Sequence, residues 1–270
     1  FLGRTVPFVA EGVALGTPTM VAVTREHWAR LSRALGSDAR RVTFVDMAEL
    51  GRNPARIIPA WLDFVAEHGA HGQPLRGISE PVWPGRRPAE VAEHHIHEAL
   101  LNLAVPADAP LWLLCPYDAD ALSTEALAEV RRGHPHVAYL DEADTDDHAT
   151  PLGSDGYAGR EHGRRLVAAA LPEPTVPADV LPFGRGDLAE VRALVARWAT
   201  RVGLERNRIG DLVLAVNEVA ANSLDHGGGS GVVRAWAEPG ALVLEVVDAG
   251  RIANPLVGRV NPSPQQTRGR

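Results

Sequence analysis

Short apolar runs rich in β-branched residues alternate with helical patterns over the first half of the chain, and this alternation limits the possible folds most strongly. The predicted strands are 19–24, 41–45, 75–79, 111–115 and 137–140. Helical patterns lie between them, at 27–35, 54–65, 88–103 and 123–132. Strands and helices alternating at this spacing predict an α/β domain, with a mostly parallel sheet and helices on its faces.

The composition of the sequence changes between residues 141 and 180. An acidic run gives way to a stretch punctuated by glycine and proline, which is typical of a linker. Residues 181–270 then predict a different order: a short strand, two helices and a β-hairpin, which together form an α+β sandwich. The predicted organisation is a first domain over 1–145, a linker over 146–180 and a second domain over 181–270.

Composition excludes several classes of protein. The Lys+Arg total of 27 consists of arginine alone, so a P-loop and lysine Schiff-base chemistry are both impossible. Cys115 is the single cysteine, which excludes an intrachain disulfide and suits a reducing compartment. No apolar run approaches the roughly 20 residues of a membrane span, and the net charge of −7 comes without a basic face. We expect a soluble cytoplasmic protein that binds neither nucleic acid nor membrane.

The second helix of the C-terminal domain, over 206–224, carries two kinds of residue. Its predicted apolar stripe comprises Ile209, Leu212, Val216, Val219 and Ser223. A neighbouring line along the same helix comprises Asp211, Ala215, Glu218 and Asn222. A carboxylate and an amide one turn apart can flank a metal-bound phosphate, although the helix pattern alone also fits a solvated polar face.

Motifs on and after this helix resemble a known family. The run from Asn217 through Glu218, Asn222 and His226 to Gly227 resembles the N box of the GHKL (Bergerat-fold) ATPases. After the hairpin, Asp248-Ala-Gly250 resembles the first glycine box of that family. The E-x-x-x-N-x-x-x-H-G run is most similar to serine kinases that act as anti-sigma factors, and the resemblance covers about 181–270.

The resemblance implies a role for each matching residue. Glu218 corresponds to the general base, and Asn222 to the residue that holds Mg²⁺ against the phosphates of ATP. Asp248 corresponds to the carboxylate that accepts from the adenine amino group, and Gly250 to the residue that lets the backbone approach the ring. Phosphoryl transfer depends mainly on positioning and charge neutralisation, which suits this set.

The segment after the first glycine box resembles a nucleotide lid, over 251–267. Within and beside it, Arg259 and Arg268 are weak candidates for phosphate contacts, and solvated loop arginines are the favoured alternative. Gly269 resembles the start of a second glycine box, at which the sequence stops. We therefore expect the chain to be a fragment with an incomplete Bergerat sheet.

A second resemblance covers about 1–145. The stretches that carry it begin at Thr5, Ala48, Gly77, His97 and Leu114. They resemble the MEDS sensory domain, which implies a RecA-like α/β core used for sensing. Polar residues at or beside the predicted strand ends form a candidate ligand pocket; they are Glu80, Glu98, Asn102, Cys115 and Tyr117. The alternative is that these residues fix loops by hydrogen bonding.

The run His94-His95-Ile-His97-Glu98 also allows a metal site. His94 and Glu98 are one turn apart and His97 lies near both, but the order is not that of H-E-x-x-H. Zinc would need another ligand, such as Cys115 or the pair His134 and His136. We favour helix-surface or pocket histidines over a metal site, and a core thiol over a nucleophile for Cys115.

These observations predict a signal-responsive anti-sigma regulator. It would bind Mg·ATP and phosphorylate a serine or threonine of an anti-anti-sigma (STAS-type) protein while sequestering a sigma factor. The sensory domain would bind a small molecule, and a homodimer is compatible with the sequence. The alternative is a regulator that senses a ligand and binds a partner without ATP turnover.

Overall fold

The computed structural model describes residues 1–138 and 152–261. Their Cα positions divide into two compact units. The first comprises Phe1–Ala169 together with Asn254–Asn261, and the second comprises Ala170–Ala253. Among the described residues, no helix is both long and apolar enough to cross a membrane.

The first unit alternates helices and strands along the chain. Its elements in order are α1 (Leu2–Ala14), β1 (Thr19–Val23), α2 (Arg25–Leu35), β2 (Thr43–Asp46), α3 (Met47–Leu50), α4 (Ile57–His68), β3 (Leu75–Ser79), α5 (Pro88–Ala104), β4 (Leu111–Leu114), α6 (Thr124–Gly133), β5 (His136–Val137), β6 (Leu152–Gly153) and α7 (Glu161–Ala168).

Four of these strands form one sheet in the order β2-β1-β3-β4, and every neighbouring pair is parallel. All residues of β1 and β3 are buried, as expected for central strands covered by helices on both faces. Gly77 on β3 allows Trp61 of α4 to lie on the sheet, because a Cβ atom at Gly77 would be 2.4 Å from the indole ring. The parallel α/β sheet predicted from the sequence is confirmed.

Polar side chains cap the starts of several helices. The Thr24 and Ser123 hydroxyls accept hydrogen bonds from the backbone of α2 and α6. Asn53 accepts from Ala55, and Pro54 opens a short 3₁₀ turn that leads into α4. The glycine that follows α2, Gly36, has φ +58°, a conformation that favours glycine and ends the helix.

Two parts of the first unit differ from the sequence prediction. The first helix, α1, was not predicted; Pro7 lies inside it and gives no helical signal, yet Val9 and Val13 are buried in the core. Of the predicted strand at 137–140, residues 139–140 lie outside the described residues. Val137 lies in β5, which pairs antiparallel with β6 in a two-stranded ribbon.

The second unit is a layer of two helices on an antiparallel sheet. Its elements are β7 (Asp179–Phe183), α8 (Leu188–Arg201), α9 (Arg206–His226), β8 (Gly231–Glu238) and β9 (Ala241–Asp248). The strand order is β7-β8-β9, with both pairs antiparallel. The core between the layers comprises Phe183, Val191, Leu194, Val195, Trp198, Val216, Ala220, Leu224, Val233 and Ala235. The predicted α+β arrangement is confirmed for the described residues.

One detail of the second unit corrects the sequence analysis: Val219 was placed in the apolar stripe of α9, but it is 48% exposed, and Ala220 is the buried residue instead. Asp187 lies directly before α8, and its carboxylate accepts from the backbone N–H of Gly184 and not from the helix. Its hydrogen bond therefore holds the turn before α8.

Candidate functional site

The end of α9 and the end of β9 meet in the second unit. Gly227 follows α9, and its carbonyl oxygen accepts a hydrogen bond from the Ala249 N–H at 3.2 Å. Gly228 and Gly229, both with positive φ, then turn the chain into β8. The residues that resemble the N box and the first glycine box are therefore adjacent in space.

Asp248 and the two glycines around it form the tightest part of this junction. A Cβ atom on Gly227 would lie 2.4 Å from Cγ of Asp248, so the carboxylate occupies the space beside the Gly227 backbone. The Gly250 N–H donates to Oδ1 of Asp248 at 2.7 Å. A Cβ atom on Gly250 would be 2.9 Å from that oxygen and also from the backbone of His226 and Gly227. Gly250 is required by backbone packing, and Gly227 leaves the space that the Asp248 carboxylate occupies.

Glu218 and Asn222 lie on the exposed side of α9, as do the other members of their line, Asp211 and Ala215. The helical rise places Asn222 about 7.5 Å and Glu218 about 13.5 Å before Gly227 along the axis. In contrast, Asn217 accepts a hydrogen bond from Arg192 at 2.9 Å and joins α9 to α8. The helix thus presents the Asn222 amide and, one turn farther from Gly227, the Glu218 carboxylate to solvent.

The oxygen atoms that this arrangement presents suit a nucleotide and its bound metal ion. One oxygen of Asp248 is held by the Gly250 N–H, and the exposed carboxylate keeps its other oxygen for an amino group of a ligand. Glu218 and Asn222 supply oxygen atoms of the hard type that Mg²⁺ prefers. The roles carried over for Glu218, Asn222, Asp248 and Gly250 stay predictions.

The remaining candidates of the nucleotide site are placed differently. Gly269 and Arg268 lie outside the described residues. Of the predicted lid, Asn254–Asn261 belongs to the first unit, and Arg259 pairs there with Glu93 of α5 at 2.6 Å. Arg259 is therefore engaged with a carboxylate.

In the first unit, Glu80 lies directly after β3. One of its oxygens accepts from the Thr24 N–H at 3.1 Å, and the other lies 2.6 Å from Nδ1 of His27. The His27 ring in turn stacks on Phe1, with the ring centroids 3.8 Å apart. Glu80 thus fastens the β1–α2 turn at the point where the strand order reverses between β1 and β3.

Two other predicted pocket residues, Cys115 and Tyr117, lie around the carboxylate of a third, Glu98. Tyr117 donates its hydroxyl to one oxygen of Glu98, and Cys115 lies beside them at the end of β4. Two histidines complete the group, which we call the Glu98 cluster. Nδ1 of His95 is 3.7 Å from Glu98, and Nε2 of His134 is 4.0 Å from it.

Charge is distributed unevenly within the Glu98 cluster. Burial opposes ionisation of Glu98, but His95, His134 and the Tyr117 hydroxyl outweigh that cost and hold the pKa of Glu98 below its usual range. Burial, together with the nearby Glu98 charge, raises the pKa of Cys115 and of Tyr117 well above their ordinary values. Glu98 is consequently the anionic member of the group, and the thiol and the phenol stay protonated.

Asn102 has a different partner set. Its side-chain amide donates to the Gly133 carbonyl oxygen at 2.8 Å and to the Glu98 carbonyl oxygen at 3.3 Å. It therefore joins α5 to the end of α6, immediately before His134. This contact is of the loop-fixing kind that the sequence analysis gave as the alternative to a ligand role.

The three histidines of α5 have different surroundings. Nδ1 of His94 lies 2.6 Å from the Glu90 carbonyl oxygen. His97 is fully buried, and burial lowers its pKa to about 3. His95, three residues before Glu98, is the one whose ring nitrogen approaches the carboxylate. The spacing of three along a helix was the available signal for His95, whereas nothing in the sequence indicated that His27 pairs with Glu80.

Comparison with known proteins identifies both halves of the chain. The family model MEDS (MEthanogen/methylotroph, DcmR Sensory domain) matches residues 1–135, and the model of the histidine kinase-like ATPase domain matches residues 182–270. No curated protein and no solved structure matches the chain significantly. The fusion predicted from the two sets of motifs is confirmed. The chain therefore belongs to the MEDS family, and its MEDS domain is followed by a histidine kinase-like ATPase domain.

Proposed function

We propose that this protein is a signal-responsive serine/threonine kinase of the anti-sigma type. At the coarser level, a sensory domain with a histidine kinase-like ATPase domain makes a regulatory ATPase or kinase. The observation that carries the finer proposal is the junction of Gly227 with Asp248 and Gly250, on the helix that presents Glu218 and Asn222. This junction joins the two nucleotide motifs into one surface.

Glu218 is the proposed general base. Its exposed carboxylate would take the proton from a serine or threonine hydroxyl of the partner as that oxygen forms a bond to the γ-phosphorus of ATP. The bond from the γ-phosphorus to the bridging oxygen breaks at the same centre, and ADP leaves with that electron pair. The products are ADP, a phosphorylated partner and a proton on Glu218.

Asn222 and Asp248 are the proposed binding residues. The Asn222 amide oxygen would hold Mg²⁺, which neutralises charge on the phosphates. The second oxygen of Asp248 would accept from the adenine amino group while Gly250 keeps the first oxygen in place. Asp248 would therefore select the base, and Asn222 would position the phosphates.

The proposed phosphoacceptor is an anti-anti-sigma protein of the STAS type, and the proposed sequestered partner is a sigma factor. Support comes from the E-x-x-x-N-x-x-x-H-G run, which the chain shares most closely with kinases of that kind. The sensory domain would set the balance between these partners in response to its ligand.

Transfer of labelled phosphate from Mg·ATP to a co-purified STAS-type protein tests the proposal. In the full-length protein, Glu218→Gln should reduce transfer about 10²–10⁴-fold and leave most of the ATP affinity. Asn222→Ala should remove Mg²⁺-dependent ATP binding. Asp211→Asn changes another exposed acid on the same line of α9 and serves as the matched control, with unchanged transfer. Equal transfer by Glu218→Gln and wild type would reject the assigned base.

A non-catalytic partner-binding regulator is the second candidate. It is favoured by apolar side chains on the exposed side of α9: Leu214 is 60% exposed and Val219 is 48% exposed. Under this alternative these residues contact the partner directly, and ATP is not turned over. Partner binding that is lost in Leu214→Ser, with no phosphate transfer by wild type, would support it over the kinase.

A further inference from the structure

Glu98 has an unusual position for a carboxylate. It is 7% exposed in the interior of the first unit, and its second oxygen, Oε2, has no hydrogen-bond partner. A buried anionic oxygen without a hydrogen-bond partner is costly to leave unsatisfied. A cation bound at this oxygen would supply the missing contact.

Cys115 and His134 lie against that carboxylate. One ligand atom from each of the three side chains, the Glu98 oxygen, the Cys115 sulfur and a His134 ring nitrogen, lies within 4.8 Å of the other two. The three residues come from separate elements: Glu98 from α5, Cys115 from the end of β4 and His134 from the end of α6. The fold, and not a local sequence motif, brings the three ligand types together.

His95 adds a second unpartnered group at the same place. It is 8% exposed, neither of its ring nitrogens has a hydrogen-bond partner, and Nδ1 is 3.7 Å from Oε2 of Glu98. This separation is too long for a hydrogen bond. The interior of the Glu98 cluster thus contains both a carboxylate oxygen and an imidazole that lack partners.

The orientation of His134 is already fixed. Its Nδ1 lies 2.8 Å from the Val130 carbonyl oxygen, so the N–H is donated there and Nε2 is left as the acceptor that faces Glu98. Asn102 holds the preceding residue, Gly133, through its carbonyl oxygen at 2.8 Å. Metal-bound histidines generally have such a partner on the other ring nitrogen.

We propose that Glu98, Cys115 and His134 bind a divalent metal ion of the zinc class. A thiolate, an imidazole and a carboxylate are ligands that zinc accepts together, whereas Mg²⁺ and Ca²⁺ prefer oxygen ligands alone. Zinc bonds of about 2.0–2.3 Å require ligand atoms roughly 3.3–3.7 Å apart, so binding contracts the present group by about 1 Å. Binding displaces the thiol proton of Cys115 to solvent.

Three protein ligands leave a fourth position open, as in zinc sites that bind exogenous molecules. The His95 ring and the Tyr117 hydroxyl lie next to Glu98 and are the nearest donors for a water or small ligand at that position. The open position would couple the ion to the sensory role of the domain. This site differs from the His94–His97–Glu98 set considered from the sequence, because His95 and His134 face the carboxylate instead.

Cobalt(II) provides a direct probe, because Cys115 is the only cysteine of the chain. Titration of the reduced full-length protein with Co²⁺ should give a thiolate-to-cobalt charge-transfer band at a ratio of one ion per chain. Any such band reports Cys115 without a variant being needed. Absence of the band at saturating Co²⁺ would overturn the proposal.

Variants then test the other ligands. His134→Gln should weaken Zn²⁺ binding, followed by competition with a chromophoric chelator, by about 100-fold. His136→Gln changes an exposed histidine two residues away and should bind as wild type does. Glu98→Gln keeps an acceptor for Tyr117 but removes the charge, and should also weaken binding. Zn²⁺ should raise the melting temperature of wild type but not that of the ligand variants that fold. Equal Zn²⁺ affinity in wild type and in folded His134→Gln would reject the site.

Discussion

The Asp248 carboxylate occupies the space that a side chain on Gly227 would need, with only 2.4 Å between Cγ of Asp248 and the position of a Cβ atom on Gly227. This contact joins the end of α9 to the end of β9. It means that the direction of the Asp248 carboxylate depends on a residue 21 positions earlier in the chain. The proposed nucleotide selection and the helix packing are consequently linked at one point.

Gly227→Ala should displace Asp248 and weaken ATP binding. The added methyl group cannot be accommodated without moving the carboxylate, and overpacking of this kind costs about 1–3 kcal/mol. Gly210→Ala is the matched control: it lies on the same helix, with nothing within 4 Å of the added Cβ. The control should stabilise the unit by about 0.5–1 kcal/mol and leave ATP affinity unchanged. Calorimetric titration with Mg·ATP measures the ATP affinity of each variant, and equal affinities for the two variants would contradict the prediction.

Asp248→Asn should reduce affinity for ATP more than for GTP. A hydrogen bond to a charged acceptor contributes about 1.5–3 kcal/mol, so we expect a loss of tenfold or more for the adenine nucleotide. Asp225→Asn neutralises another exposed acid near the end of α9 and should have no such preference. Competition between the two nucleotides for a fluorescent analogue gives the ratio. A parallel loss for both would show that Asp248 does not read the base.

Gly77→Ala should destabilise the first unit. The Cβ atom would lie 2.4 Å from the Trp61 ring and 2.8 Å from Leu113, between a helix and the neighbouring strand. We expect a loss of about 1–3 kcal/mol, read as faster hydrogen exchange of the β3 amides. Gly3→Ala, in α1 with open space around the added atom, is the control and should leave that exchange unaltered.

Glu129→Gln should weaken the attachment of α7 near neutral pH. Burial opposes the charge of Glu129, but Arg132 and His162 outweigh it and lower the pKa of this carboxyl. A lowered pKa stabilises the fold above the ordinary carboxyl range, and the gain disappears as the pH falls through the lowered value. Because Glu129 is partly exposed, the effect should be about 1 kcal/mol or less.

Thermal unfolding of wild type and Glu129→Gln across this acid range measures the difference. The two curves should separate at pH 7 and converge under acid conditions. Glu67→Gln, a change at an exposed carboxylate of α4, should follow wild type throughout. A difference between Glu129→Gln and wild type that persists unchanged into acid would show that the effect is not one of charge.

Much of the fold was accessible from the sequence, because periodicity reports which side of an element is buried. The run at 19–24 is apolar and rich in β-branched residues, and the run at 75–79 is shorter and mixed; both are central strands. The helical patterns at 27–35 and 123–132 became α2 and α6, whose starts the Thr24 and Ser123 hydroxyls cap. These are short-range signals, and they do not depend on the rest of the chain.

The sequence prediction was wrong where contacts between distant parts of the chain determine the local structure. Pro7 suppresses the helical signal of α1, but the apolar core that receives Val9 and Val13 stabilises the helix. Ala220 is buried in place of Val219 because the rotation of α9 about its axis is set by its packing against α8 and the sheet.

For the candidate site, motifs singled out residues of α9 and β9 but did not indicate that Gly227 and Asp248 touch. In the sensory domain, the pairing of His27 with Glu80 joins residues far apart in sequence, and only the parallel sheet brings them together.

The position of α7 determines where an autonomous sensory fragment must end. The family match stops at residue 135, yet Gly163 of α7 sits so close to α5 that a Cβ atom on it would be 3.0 Å from the Ala99 backbone. A protein cut at the family boundary would leave that face of α5, including Ala99 and Leu100, open to water. We expect a fragment ending at Ala169 to stay monodisperse in gel filtration and one ending at residue 135 to aggregate. The stretch that the family model matches is thus shorter than the stretch of chain that packs as one unit, Phe1–Ala169 with Asn254–Asn261.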